Sequence, residues 1–570
     1  MSGFSTEPVT AAARRGGAEL FVDILEAYDV THVFANPGTT ERPIVDAVAD
    51  SGLEYVLTLH EDVAVGAAAG FASTRRYHAH RDPDVLPLGV VNVHVAPGMA
   101  HGLSNLHGAA FAGAPLLVTA GSHPSSHRTR EPVLEGDMLG MVEPYTKWAV
   151  RVEDAADLPR IVRRAVQTAL TPPTGPVFID LPVDVQNQRT SATPERLGHV
   201  PTAGPGDPEA IDRAAEVLAA AQEPVFVVGD GLARAGPKAV EGTVRLAEAL
   251  GARVHGELFL SEAAFPTGHE QWVSFLPLDS ARSAELIDVD TLLFAGCSTN
   301  VPPFDPPDEF VPDTATTVHV GVDARHLGKN EPGDATVLGD PCDVMVTLAE
   351  RLDGTVPASI LEARRDRILA VERAETRRRR EAVPTDPSGE TPSKLDLAEA
   401  LVAVIEDERL VDEGVTAGFL LRDELPLDDE RFLATKGGGL GYGLPAAIGS
   451  AIAESLTDAP RPVIGFVGDG ALQYYPQALY TAVRSVDAPL TIVVVDNDGY
   501  GILREADVRR GVASPAPLSF GGGIDPVTIA RGYGLPATQV GPKTHADLTA
   551  GLRSALDADG PSLVNVEVFE

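Results

Sequence analysis

Short, nearly unbroken apolar runs alternate along this chain with longer stretches of helical character, and each run stops at a glycine, a polar residue or a histidine. Thr31-His32-Val33-Phe34 leads into Asn36-Pro37-Gly38-Thr39-Thr40-Glu41, Tyr55 to Leu59 leads into His60-Glu61-Asp62, Gly89 to Val93 ends at His94, and Pro115 to Thr119 follows. Runs that are apolar on both faces read as buried strands of a parallel sheet, with crossover helices between them. The pattern predicts an α/β domain over residues 8–190. A second unit, placed at 205–352, opens near Pro224-Val225-Phe226-Val227-Val228-Gly229-Asp230-Gly231. The Arg-rich, helix-prone piece from Ile360 to Arg380 and the Pro/Ser/Gly stretch Pro384 to Ser393 read as a connector over 353–394. A third unit over 395–570 ends in a strand from Pro561 to Val568. The expected fold is α/β, three doubly wound parallel-sheet domains.

The third unit carries the most specific chemistry. Val463-Ile464-Gly465-Phe466-Val467 reads as a strand that ends on Gly468-Asp469-Gly470; Ala478 to Val486 reads as a helix and Leu490 to Val495 as the next strand. Asp469 and Asn497 then fall at the ends of consecutive parallel strands. Glycines let backbone amides turn toward an anion, and a carboxylate, an amide oxygen and a loop carbonyl near Gly499 suit Mg2+. A bound diphosphate is expected there. Ligands of such sheets bind beyond the carboxyl ends of the strands, which is also where Thr39, Glu61 and His94 fall. Gly229-Asp230-Gly231 offers a second turn for a diphosphate or adenine nucleotide, but no acidic residue stands out in the usual ribose position.

Composition narrows the classes. A chain of 570 residues, 44% of them hydrophobic, suits about three domains. No run of about 18 uncharged apolar residues occurs, and the first residues lack a basic region followed by an apolar core, so a soluble, cytoplasmic protein is expected. A formal charge of −37 argues against nucleic acid and anionic membranes as partners. Lysine occurs only at Lys147, Lys238, Lys329, Lys394, Lys436 and Lys543, while acidic residues are spread throughout, a distribution similar to that of halophilic proteins. No acidic block marks an interaction tail. Cys297 and Cys342 are the only cysteines and form no CxxC, so neither a disulfide framework nor a zinc site is expected.

Three landmarks in order carry a resemblance over nearly the whole chain: Asn36 to Glu41 against NPGSNE, Gly437-Gly438-Gly439-Leu440-Gly441-Tyr442-Gly443-Leu444-Pro445-Ala446-Ala447-Ile448-Gly449 against GGLGFALPAAIG, and the GDG motif followed by Asn497. The chain resembles the thiamine-diphosphate-dependent 2-oxo acid decarboxylase and acetohydroxyacid synthase superfamily, and within it the benzoylformate decarboxylases most. The resemblance implies a pyrimidine-binding first domain, a central domain and a diphosphate-binding last domain. It implies thiamine diphosphate and Mg2+ as cofactors, a 2-oxo acid as substrate, and a homodimer or homotetramer whose sites lie between subunits. Asp469, Asn497 and Gly499 are the implied metal ligands, although Asp496 replaces the first asparagine of the family's pair. Gly414, Thr416, Gly439, Leu440, Gly468, Gly470 and Tyr500 are the implied further cofactor contacts, with Leu440 as the wedge that bends the cofactor. Glu61 matches the glutamate that bonds the pyrimidine ring, a carboxyl able to share a proton with a weak ring base. His94 matches a histidine serving proton transfer at the substrate carbon, and Thr39 replaces a serine that contacts the substrate carboxylate.

The departures concern substrate. Asn300 to Pro306 lacks the second active-site histidine of the benzoylformate type, and the adjacent-histidine pair of pyruvate decarboxylases is missing near residue 123. Ile502, followed by Leu503, stands where the aryl-specific enzyme has a small residue, so these two residues mark a substrate pocket ill-suited to an aromatic substrate. Asp62 replaces the glutamine typical of the synthase branch, which counts against FAD. Expected activity is non-oxidative decarboxylation to an aldehyde. The alternatives are ligation to a second carbonyl compound, as in acetolactate synthase, and a noncatalytic cofactor-binding paralogue or a nucleotide-binding regulatory protein on the same sheets.

Overall fold

In the computed structural model, which describes residues 14–299, 301, 310–427, 430–509, 511–512, 518–541 and 545–569, the apolar runs pair into three six-stranded parallel sheets. The N-terminal sheet contains β1 (His32–Asn36), β2 (Glu54–Leu57), β3 (Gly89–Val93), β4 (Leu116–Ser122), β5 (Ala149–Arg151) and β6 (Val177–Pro182), in the order β2-β1-β3-β4-β6-β5. The central sheet contains β7 (Pro224–Val228), β8 (Arg253–Gly256), β9 (Trp272–Phe275), β10 (Thr291–Ala295), β11 (Thr316–Gly321) and β12 (Ala335–Leu338), in the order β9-β8-β7-β10-β11-β12. The C-terminal sheet contains β13 (Arg409–Glu413), β14 (Phe432–Ala434), β15 (Val463–Gly468), β16 (Leu490–Asp496), β17 (Ala537–Val540) and β18 (Pro561–Glu567), in the order β14-β13-β15-β16-β18-β17. The two outer sheets therefore share one topology, while the central sheet has the order of dinucleotide-binding domains. Interior strands such as β3, β4 and β7 are buried at every residue, which is why they read as continuous apolar runs.

Register sets the functional loops side by side. Glu413 of β13 pairs with Val467 of β15, and Gly468 with Val495 of β16, so Gly414, Asp469 and Asn497 emerge from three adjacent strand ends. In the first sheet Asn36 of β1 pairs with Val93 of β3, and Ala35 with Leu57 of β2. Thr39, Glu61 and His94 follow these ends.

Helix α1 (Glu61–Ala79) in the N-terminal unit and, later in the chain, α2 (Leu103–Phe111), α3 (Ala358–Glu381) and α4 (Gly443–Glu454) matter most for the site. The Arg-rich connector forms α3, anchored on the central unit by Arg364, whose Nη2 donates to the Ala221 carbonyl at 2.6 Å. Helices α1 and α4 cross in backbone contact: a Cβ on Gly70 would lie 2.1 Å from the Ala446 carbonyl oxygen, and one on Gly449 1.8 Å from that of Ala67. Thr74 Oγ1 donates to Ser450 Oγ at 3.0 Å beside this crossing. Val63, Ala67 and Phe71 of α1 share one core with Leu444, Ala447 and Ile448 of α4. Of the segment Asn300 to Pro306, all but Val301 lies outside the described residues. Among the described residues no helix is long and apolar enough to cross a membrane.

Gly449→Ala is expected to push α1 and α4 apart and to destabilise the fold by about 1–3 kcal/mol, the usual penalty of overpacking. Thermal unfolding followed by circular dichroism measures it; an unchanged midpoint would show that the crossing has slack.

Candidate active site

One cavity of about 640 Å³ opens at the carboxyl ends of β13, β15 and β16. Gly414, Thr416, Gly439, Leu440, Gly468, Asp469, Gly470, Asn497, Gly499, Tyr500, Ile502 and Leu503 all line it. Its backbone is unusual. Val415, between Gly414 and Thr416, has φ +50°, a left-handed conformation that costs a β-branched residue steric energy. Gly499 has φ +146°, and a Cβ there would lie 2.2 Å from the Leu518 carbonyl oxygen, so the loop admits only glycine.

Asp469 is buried. Its Oδ1 accepts the Gly470 amide at 2.8 Å and its Oδ2 the Gly499 amide at 3.0 Å. Burial nonetheless pushes its carboxyl up to about 7, with the neighbouring Asp496 adding to the effect. A desolvated carboxylate held by two amides, with an asparagine and a loop carbonyl on the adjacent strand end, is a donor set that fits a hard divalent cation. Lys394 adds a cation to the lining: it is buried, and its Nζ donates to Thr416 Oγ1 at 2.9 Å and to Glu505 Oε1 at 3.0 Å. Nothing in the sequence pattern singles out this lysine, which stands about 75 residues before the GDG turn.

The loop carrying Leu440 is fixed by a residue that sequence reasoning missed. Glu413, at the end of β13, is buried and accepts the amides of Gly441, Tyr442 and Gly443 at 2.8, 3.1 and 2.8 Å. Burial raises its carboxyl to about 7 against these three bonds.

Around His94 the N-terminal unit forms a second constellation. His94 Nδ1 lies 2.7 Å from Glu41 Oε2 and 3.2 Å from Thr40 Oγ1. Glu41 is fully buried and also accepts the amides of Gly38 at 2.9 Å and Gly121 at 2.8 Å. The bond to Glu41 raises the His94 pKa against the opposing effect of burial. Thr40, rather than Thr39, makes the side-chain contacts here; Thr39 is exposed in the single chain. Glu61 opens α1 and is buried, with Oε2 3.2 Å from His101 Nδ1. Asp62 turns inward: it accepts the Asn105 amide at 2.8 Å, and burial lifts its carboxyl to about 6. Asn105 Nδ2 in turn reaches the Gly441 carbonyl at 3.4 Å, joining α1 to the glycine loop.

The two constellations do not merge within one chain. Among the described residues that line the 640 Å³ cavity, Ser104 of α2 alone comes from the N-terminal unit. A separate cavity of about 300 Å³ lies between the N-terminal and central units, walled in part by Lys147, Arg234, Cys297 and Asp323. Glu257, the residue after β8, occupies the place of a ribose-binding acid in the central topology, which sequence reasoning did not recognise.

Comparison with known proteins places this architecture. Residues 15–141 match the family model of the thiamine pyrophosphate enzyme N-terminal TPP binding domain, 211–348 that of the central domain, and 427–566 that of the C-terminal TPP binding domain. The chain is 30% identical over 561 residues to benzoylformate decarboxylase of Pseudomonas aeruginosa, covering 95% of this chain and 97% of that protein. It is 26% identical over 571 residues to acetolactate synthase isozyme 1 large subunit of Escherichia coli, covering 99% and 96%. The solved structure of the thiamine diphosphate-dependent 4-hydroxybenzoylformate decarboxylase of Rhodococcus jostii superposes with a TM-score of 0.81 at 26% identity, covering 98% of this chain and all of that one. The chain belongs to the thiamine pyrophosphate enzyme family.

Proposed function

We propose that this protein is a cytoplasmic, thiamine-diphosphate- and Mg2+-dependent enzyme that decarboxylates a 2-oxo acid without oxidation, and that it works as a homodimer or a dimer of dimers. The observation that carries the reading is the gathering of the GDG turn, Asn497, Leu440 and Thr416 around one cavity whose deepest acid, Asp469, is desolvated. Asp469, the Asn497 amide oxygen and the Gly499 carbonyl would hold Mg2+, with the Gly468–Gly470 backbone turned to the diphosphate. Leu440 would support the bent cofactor. Bound thiamine diphosphate supplies an electron sink for loss of CO2 from the substrate.

Glu61, buried at the start of α1, would bond the pyrimidine ring of the bound cofactor, and its burial would keep water from competing. Because the cavity takes only Ser104 from its own N-terminal unit, Glu61 serves the cavity of a second subunit. His94 moves a proton at the substrate carbon, and Glu41, bonded to Nδ1, leaves Nε2 to face the substrate. Thr39 meets the substrate carboxylate, and Ile502 narrows the cavity toward aliphatic 2-oxo acids. The formal charge of −37 suits work at high salt. Ligation to a second carbonyl compound is the other reading, favoured by the full-length likeness to an acetolactate synthase subunit.

Incubation in high salt with Mg2+, thiamine diphosphate and a panel of 2-oxo acids, with products identified by mass, tests the proposal. CO2 with an aldehyde is expected; an acetohydroxy acid as sole product would favour ligation, and no CO2 from any substrate would overturn both readings. Glu61→Gln is expected to lower kcat by about 10²- to 10⁴-fold, the usual contribution of a positioned acid–base group, while cofactor and metal affinity hold.

Because Mg2+ takes the deprotonated carboxylate, its affinity is expected to rise roughly tenfold from pH 6 to pH 8 as Asp469 loses its proton near 7. Titration calorimetry with Mg2+ and thiamine diphosphate at the two pH values checks this, and a flat response would detach Asp469 from the metal.

Glu41→Gln replaces the anionic acceptor that raises the His94 pKa with a neutral amide. The imidazolium is then lost at lower pH, so the limb of the kcat/KM profile that His94 controls should move to lower pH. A profile that keeps its shape would rule out His94 as the titrating group.

A further inference from the structure

The central sheet reverses its strand order between β7 and β10, the place where nucleotides bind in sheets of this topology. Here several of the amides at that place are turned to side chains of the protein. The Oε1 of Glu257 accepts the Asp230 amide at 3.2 Å, while its Oε2 accepts the amides of Ser298 and Thr299 at 2.7 and 2.6 Å and the Thr299 hydroxyl at 2.9 Å. Amides that would face a ligand's diphosphate thus face a carboxylate of the protein. Asp230 turns inward as well, its Oδ1 accepting the Ser261 amide at 2.7 Å and the Glu262 amide at 3.2 Å.

A lysine from the C-terminal unit closes the cluster. Lys436 Nζ lies 2.6 Å from Glu257 Oε1 and 2.5 Å from Asp230 Oδ2, with all three side chains at 1% exposure or less. Arg234, 3.0 Å from Asp230, and Arg76, paired with Glu262, extend it toward the N-terminal unit. Lys436 immediately precedes Gly437-Gly438-Gly439, three residues with no side chain to fix them. Leu440 comes next, and beyond it the Gly441, Tyr442 and Gly443 amides are held by Glu413. The glycine loop is therefore fastened at both ends by buried ionisable side chains, and Leu440 lies between them.

We propose that Lys436 is a positioning residue for the cofactor site: by bridging Asp230 and Glu257 it ties the Leu440 loop to the central unit, whose nucleotide-type switch point serves as the anchor of that loop. The inference rests on the thiamine diphosphate reading of the cavity. Removing the lysine alone would leave two carboxylates buried without their partner, a strongly destabilising change. The double variant Lys436→Met/Glu257→Gln removes one charge of each sign and breaks the tie.

The test compares two ligands on the full-length, cofactor-stripped protein by titration calorimetry with Mg2+ present. Inorganic pyrophosphate needs only the end of the cavity at Gly468–Gly470 and Asn497, whereas thiamine diphosphate also needs Leu440. In the double variant the dissociation constant for thiamine diphosphate should rise at least tenfold while that for pyrophosphate stays within twofold. Equal loss of both would mean general loosening, and no loss of either would mean no tie; each overturns the proposal. Glu257→Gln alone leaves Lys436 its Asp230 partner and should show the same selective loss in smaller measure, which decides the matter where the double variant does not fold. If the parent protein fails to bind thiamine diphosphate, the cofactor reading has failed. Hydrogen exchange over residues 437–443, expected to be at least tenfold faster in the variant, then decides the anchor by itself, and an unchanged rate overturns it.

Discussion

Backbone contact between α1 and α4 is the constraint on which the site depends. Gly70 and Gly449 let the helices approach until carbonyl oxygens fill the space a methyl group would take. Glu61 is the first residue of α1, and the loop bearing Leu440 runs directly into α4. In the proposed dimer, where Glu61 serves the partner's cavity, the orientation of one helix against the other sets the acid that each chain lends relative to the wedge that it keeps. Asn105, bonded to Asp62 on one side and to Gly441 on the other, repeats the same coupling in hydrogen bonds.

The N- and C-terminal units also bury carboxyl groups whose charged forms are disfavoured by desolvation. Asp62 and Asp412 are raised to about 6, and Glu413 and Asp469 to about 7, in each case chiefly by burial. For an acid whose folded pKa lies above its unfolded value, the folded state keeps a proton that the unfolded state has lost. These groups therefore subtract stability as pH rises from about 4 toward 7. Three of the four accept amides of loops that line the cavity or lead into α4: Asp412 holds Gly414, Glu413 holds Gly441 to Gly443, and Asp469 holds Gly470 and Gly499. Each of the three thereby fixes glycine-rich backbone, at a cost in global stability.

The fold was legible because parallel strands buried on both faces leave continuous apolar runs, and because each run stops where a ligand loop begins. The meeting of Asp469 and Asn497 at one cavity was legible for a related reason: they follow consecutive strands, so their separation in sequence is fixed by a single crossover. Pairings across units leave no such trace. Lys394 meets Thr416 from the end of the connector, Lys436 meets Glu257 from another sheet, and neither spacing follows from any periodicity. Within one motif the limit is finer. The Asn36 to Glu41 segment was recognised, yet the turn sends Thr40 and Glu41 inward to His94 and leaves Thr39 at the surface, a choice that one residue of backbone rotation decides.

The two outer units share more than strand order. In the N-terminal unit Val95 follows His94 with φ +39°, and in the C-terminal unit Val415 follows Gly414 with φ +50°. Both are β-branched residues in the left-handed region, at a cost of order 1–3 kcal/mol each, and both come within two residues of a strand end that faces the candidate chemistry. Val95 is held by burial, and Val415 by the hydrogen bond that the Gly414 amide donates to the Asp412 carboxylate on one side and by Thr416 and its lysine partner on the other. The side chain before Val95, His94, is thereby delivered to Glu41, and Thr416 after Val415 to the cavity wall. Strain held in place by packing thus achieves in two sheets what glycine alone achieves at Gly499: it turns the backbone at the strand end without letting it wander.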